Sequence, residues 1–130
     1  MFSFFKKEKK STETPAVPLT AEESQEAEAL IATLESQLQA ETDSDEQAKL
    51  YEALGLAQAK LSRTEEAIDA LEKSLQAKKS IGDGYKILMS LYNAQRAAAA
   101  RNGDDAKIDY YMDKMEEMRQ IAKQLTISGN

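Results

Sequence analysis

Five blocks of apolar residues recur at three- and four-residue steps along the 130-residue chain. The first is Ala27, Leu30, Ile31, Leu34 and Leu38; the second is Leu50, Tyr51, Leu54, Ala57 and Leu61. Ala67, Ile68, Leu71 and Leu75 form the third, and Tyr85, Leu88 and Tyr92 the fourth. In the fifth, Ile108, Tyr111, Met115, Met118, Ala122 and Leu125 make a seam that Met112 and Ile121 widen. Steps averaging near 3.6 residues mark one face of an α-helix. Short polar or glycine-bearing breaks separate the blocks, which makes consecutive helices antiparallel neighbours. The pattern predicts an all-α chain of five antiparallel helices near 20–41, 45–61, 64–79, 84–101 and 104–125.

The breaks carry local chemistry of their own. Thr20 with Glu23, Ser44 with Gln47, and Ser62 with Glu65 all have capping-box spacing. Asp43 or Ser44 is expected to cap the second helix. Asn102-Gly103 reads as a helix stop and Asp104 as the N-cap that follows. The turn Ile81-Gly82-Asp83-Gly84 holds two glycines that permit positive φ. Gly55 falls inside the second helix, at a cost of about 1 kcal/mol relative to Ala. Such a cost is accepted where a neighbouring backbone comes close, so Gly55 and Ala67 are expected to touch. Asp43 and Asp45 have the spacing that opens a calcium loop, but Ala48 stands where that loop requires Gly.

Composition agrees with this periodicity. Helix formers dominate, Val occurs once, and the two prolines are Pro15 and Pro18. His and Cys are both absent, which removes disulfides, thiolate nucleophiles, imidazole bases and the usual zinc ligands. The Gly82–Gly84 pair lacks the remaining residues of a phosphate loop. Carboxylate rows such as Asp105, Asp109 and Asp113 fit a solvated helix face. The expectation is a protein that is not an enzyme, with no catalytic, cofactor or metal site.

The net charge of −6 is unevenly spread. Residues 20–46 hold nine carboxylates and no base, whereas the rest of the helical region is nearly balanced. No large basic face results, which disfavours nucleic acid. The absence of cysteine fits a cytoplasmic protein. No apolar run is long enough to span a bilayer.

Residues 1–19 form a flexible leader and linker before a helical domain at 20–126, with 127–130 as a frayed tail. The leader begins MFSFFKKEKK, which looks like a bacterial cytosolic start. It contains all three phenylalanines of the chain, Phe2, Phe4 and Phe5, followed by Lys6, Lys7, Lys9 and Lys10. Aromatic rings beside lysines can touch an anionic membrane surface, each Lys adding about 1 kcal/mol. Phe2, Phe4, Phe5, Lys6 and Lys7 are the candidate membrane contacts. The same segment could equally pack nowhere or dock on its own domain.

Residues 48–81 resemble one tetratricopeptide repeat, a 34-residue helix–turn–helix unit. Tyr51 takes the place of the family's Trp, and Leu54, Gly55, Ala67 and Leu71 match its Leu, Gly, Ala and large apolar position. Gln58 replaces the usual Tyr and Lys79 the terminal Pro. A degenerate second repeat covers about 82–120. Tyr85, Leu88 and Tyr92 keep the first-helix spacing, Met89 replaces Gly, and about five extra residues precede the second helix.

The resemblance implies a short right-handed superhelix with a concave groove lined by the first helix of each pair. The groove positions would be Lys49, Glu52, Leu56, Ala59 and Lys60, then Lys86, Ser90 and Asn93. Family members that clamp a C-terminal carboxylate place Lys and Asn where this chain has Glu52 and Leu56, so that ligand is disfavoured. The implied role is an adaptor or scaffold holding a peptide or helix of a partner protein. The alternative is a self-assembling or membrane-surface protein tethered by the leader, since two repeats are fewer than the three usually needed. The helix at 20–41 would then cap one end, or a second copy would.

Overall fold

The computed structural model describes residues 18–127, and among them it contains five α-helices and no strand. They are α1 (Ala21–Ala40), α2 (Ser44–Lys60), α3 (Thr64–Ala77), α4 (Asp83–Arg101) and α5 (Asp105–Ile127). Each lies within a few residues of its expected span. Among the described residues, no helix is long and apolar enough to cross a membrane.

Local hydrogen bonding sets most of the boundaries. Thr20 forms a complete capping box: its Oγ1 accepts from the Glu23 N–H at 3.0 Å, and the Glu23 carboxylate accepts from the Thr20 N–H at 2.9 Å. Asp43, rather than Ser44, caps α2 by accepting from the Glu46 N–H at 3.0 Å. At the end of α4, Gly103 adopts φ +69. Its N–H reaches the Ala100 carbonyl at 3.2 Å and the Asp104 N–H reaches Ala99 at 2.9 Å. That pair of bonds is a Schellman ending, in which glycine takes the left-handed position at no steric cost. Asp104 then caps α5 through the Lys107 N–H at 3.1 Å.

The α2–α3 turn differs from its expected form. Ser62 does not cap α3; it adopts φ 60 at the end of α2. The Ser62 N–H reaches Ala59 at 3.0 Å and the Arg63 N–H reaches Gln58 at 2.9 Å. Two orphan carbonyls are satisfied in this way, and α3 begins with no side-chain cap.

Contacts across the helices fix an antiparallel register. Gly55 of α2 meets Ala67 and Leu71 of α3, while Ala48 at the start of α2 meets Ser74 near the end of α3. The Ser74 hydroxyl donates to the Ala48 carbonyl at 2.7 Å in a buried site. The hydroxyl of Tyr85, at the start of α4, donates to the Met118 carbonyl late in α5 at 2.8 Å. Two apolar clusters result. Ile31, Leu34, Leu54, Ala57 and Ala70 join α1, α2 and α3; Leu71, Leu75, Leu88, Tyr92 and Met118 join α3, α4 and α5. Leu71, Leu88 and Tyr92 are the largest fully buried side chains among the described residues.

Besides Ser74, a polar network at Glu72 and the amide of Gln58 stand among these layers. Tyr92 donates its hydroxyl to Glu72 of α3, and Lys114 of α5 lies 3.7 Å from the same carboxylate and 3.4 Å from Glu117. Burial acts to lower the Lys114 pKa, but the Glu72 and Glu117 charges outweigh it and raise it. Gln58 is only 7% exposed, and its Oε1 accepts no hydrogen bond from any described residue. A buried acceptor without a donor costs about 1–3 kcal/mol. Gln58→Leu is therefore expected to raise stability by about 1 kcal/mol, read as a higher urea midpoint at unchanged slope.

Backbone contacts follow chain order. Among the described residues the backbone of α1 lies against α2, α2 against α3, α3 against α4 and α4 against α5, and the one further close approach of helix backbones is between α2 and α4.

Candidate functional site

The α2–α4 contact is where two helix pairs meet, and one carboxylate anchors it. Glu52 of α2 accepts the Gly84 N–H at 2.7 Å, in the first turn of α4. Helix N-termini carry unpaired N–H groups and a partial positive charge, so an acid is favoured there. Glycine suits this approach: a Cβ at position 84 would lie 2.7 Å from Glu52 Oε2 and 2.8 Å from its Cγ, and the Glu52 side chain would have to shift. α2 and α4 run in the same direction here. Residues 56–60 stand beside 83–87, leaving a trough between them.

That trough is a hollow of about 490 Å³ lined by Leu56, Ala59, Lys60, Asp83, Lys86 and Ile87. On the other side of α2, toward α1, lies a second hollow of about 550 Å³. Its floor is Ala27 and Leu30 of α1 with Ala53, Leu56 and Ala57 of α2, and its rim is Leu19, Glu23, Glu26 and Lys60. Leu56 and Lys60 line both hollows. The two are thus halves of one surface that crosses α1, α2 and α4, apolar at its base and charged at its edges. Leu30 contributes a large exposed apolar side chain at 47% exposure. These side chains are alkyl groups, carboxylates and ammonium groups. They can bury an apolar side chain, orient it and pair with its charged neighbours.

The groove residues named from sequence divide accordingly. Leu56, Ala59, Lys60 and Lys86 come together around the trough. Glu52 lies outside the trough: it is engaged at the α4 N-terminus and lines a neighbouring depression. Lys49 lies elsewhere: it pairs with Glu46 at 3.4 Å and borders that same depression with Ser74 and Lys78. Ser90 and Asn93 are exposed farther along α4, and Asn93 accepts from the Arg96 Nε at 3.1 Å. Phe2, Phe4, Phe5, Lys6 and Lys7 lie outside the described residues.

The α1 side of the surface was missed by sequence reasoning. Leu30 reads as part of an inward stripe, yet only Ala27, Ile31 and Leu34 of that stripe are buried. The signal was present in adjacent apolar residues. Leu30 and Ile31 point about 100° apart on a helix, so with Ile31 buried Leu30 falls at the edge of the covered face. Ile87, next to the buried Leu88, was missed for the same reason. No protein-family model matches the chain, and no curated protein and no solved structure matches it.

Proposed function

We propose that this domain is a protein-interaction module of the tetratricopeptide kind, holding a helix or an extended peptide of a partner across α1, α2 and α4. The observation that carries the reading is the continuous apolar surface centred on Leu56, with Lys60 shared between its halves. In helix-pair arrays the first helices line the ligand surface, and α2 and α4 occupy those places. Stacking of the pairs into a right-handed superhelix belongs to the same proposal, as does a cytoplasmic adaptor role, which the absence of cysteine suits.

The chemistry of the edges describes the ligand. Glu23 and Glu26 on the α1 edge favour basic residues, while Lys60 and Lys86 favour acidic ones nearer α4. Between them, one or two aliphatic or aromatic anchors would fill the hollows, as in other helix-in-groove complexes. Glu52, already bonded within the domain, does not clamp a terminal carboxylate.

Leu56 is half-buried at the centre, where truncation or charge is most costly to binding. Leu56→Glu is expected to weaken partner capture from the native cell at least about tenfold, since central anchors contribute 2 kcal/mol or more. Its far-UV circular dichroism should match the parent. Undiminished capture by Leu56→Glu would remove the reading.

A further inference from the structure

We propose that the chain's own leader, Phe2 to Lys10, docks in cis on the hollow between α1 and α2. Five observations converge on this occupant. The leader contains every phenylalanine of the chain, and the hollow offers an apolar floor of Ala27, Leu30, Ala53 and Leu56. Four lysines follow the rings, and the α1 edge of the hollow carries Glu23 and Glu26, with Lys60 set apart on the α2 side. Leu19, where the leader joins the domain, itself lines the hollow.

The order of residues also matches the order of the surface. Traced backward from Leu19, the chain reaches Lys10 to Lys6 first and Phe5, Phe4 and Phe2 last. Along α1 the carboxylates of Glu23 and Glu26 come first, and Leu30 lies farther on. With the linker at 11–18 looped out to take up the difference in rise between extended chain and helix, a leader folding back over α1 can set lysines near the acids and rings near the apolar floor together.

Reach and affinity permit it. Phe5 lies fourteen residue steps before Leu19, a span of up to about 46 Å when extended. Leu30 lies eleven residues beyond Leu19, and a helix climbs only about 17 Å over that count. A short tether holds its end at an effective concentration on the order of 1 mM. An intrinsic dissociation constant tighter than about 1 mM therefore keeps the leader docked for most of the time. The leader would compete with any partner for Leu56. This inference rests on the same surface being a ligand site, but it does not need a partner to be found.

The chain has no tryptophan, so Phe4→Trp in the full-length protein gives one fluorescent reporter in the leader. The expected result is blue-shifted emission, independent of protein concentration and shielded from acrylamide. Leu30→Glu and Leu56→Glu, each added to that background, should shift it to the emission of tryptophan in water. Met112→Glu, on exposed α5, should leave it unchanged, with circular dichroism constant throughout. Solvent-like emission in the parent would overturn the proposal. So would a blue shift that survives both groove substitutions, one that grows with protein concentration as for docking on a second copy, or one that needs phosphatidylserine vesicles. Solvent-like emission together with partner capture that Leu56→Glu abolishes overturns this inference alone. A Leu56-dependent shift with no captured partner overturns the adaptor reading alone.

Discussion

Gly55→Val is expected to lower the stability of the domain by about 3 kcal/mol, the upper end of ordinary overpacking penalties. A Cβ at Gly55 would stand 2.5 Å from Leu71 Cγ, 2.7 Å from Leu71 Cδ2 and 3.2 Å from the Ala67 carbonyl oxygen. Leu71 is 1% exposed and Ala67 is 0% exposed, so neither has open space to move into. Relief requires α2 and α3 to separate, which opens the apolar layers on both sides. Gly55→Ala is the more diagnostic variant. At an unconstrained helix position it would stabilise by about 1 kcal/mol through helix propensity. Here the clash opposes that gain, and a net loss of about 1 kcal/mol is expected. Urea unfolding of both variants measures it, and a stabilised Gly55→Ala would contradict the contact. In Gly55→Ala combined with Leu71→Ala, the freed volume should recover part of the loss, so the two effects should fall short of additive.

Tyr92 carries the second large effect. It is 2% exposed, and its ring lies 6.1 Å from that of Tyr111 at a tilt of 41°. Tyr92→Ala should cost about 4 kcal/mol, in the range for large aromatic truncations in a core. Tyr92→Phe keeps the ring and removes the donor to Glu72, so it should cost about 1–2 kcal/mol. The difference between them separates packing from hydrogen bonding. Burial, then the bond to Glu72, pushes the Tyr92 phenol well above its ordinary value of 10.0. Because the folded value is raised, the stabilisation is complete below about pH 10 and fades above it, as the unfolded phenol loses its proton first. The stability gap between the parent and Tyr92→Phe should therefore stay constant from pH 7 to 9 and narrow at higher pH. A gap that widens with pH would place the phenol in a different environment.

Legibility of the fold in the sequence followed the range of the interactions. Thr20 with Glu23 and Asn102-Gly103-Asp104 act within a few residues, and those ends could be read directly. Gly55 could also be read, because a glycine inside a helix carries a cost that calls for a reason. Ser62 was ambiguous. Its spacing to Glu65 suits an N-cap, but the turn is so short that the same residue must also close α2, and the closing role prevailed by satisfying two carbonyls. Bonds between distant residues left no trace in local pattern. Glu52 to Gly84 spans 32 positions and Tyr92 to Glu72 spans 20. The groove was half legible. Leu56, Ala59, Lys60 and Lys86 follow from the resemblance to a tetratricopeptide repeat, while Leu30 and Ile87 depend on how far each neighbour covers a helix. Periodicity reports direction around a helix, not depth beneath the surface.

Because each helix leans chiefly on those beside it in sequence, little chain must be looped out before native contacts form. Assembly from local pieces is fast in such topologies, and it can start at α2–α3 and spread outward. The reverse also holds: loosening should begin at the outer rods, α1 and α5, while the middle hairpin keeps its amide protons longest. Since α1 supplies one wall of the hollow proposed as a ligand surface, fraying at that end would widen or erase that hollow without melting the rest. The domain's grip would then be set by its least anchored helix, and an occupant lying across α1 and α2 would fasten the very end that is quickest to come undone.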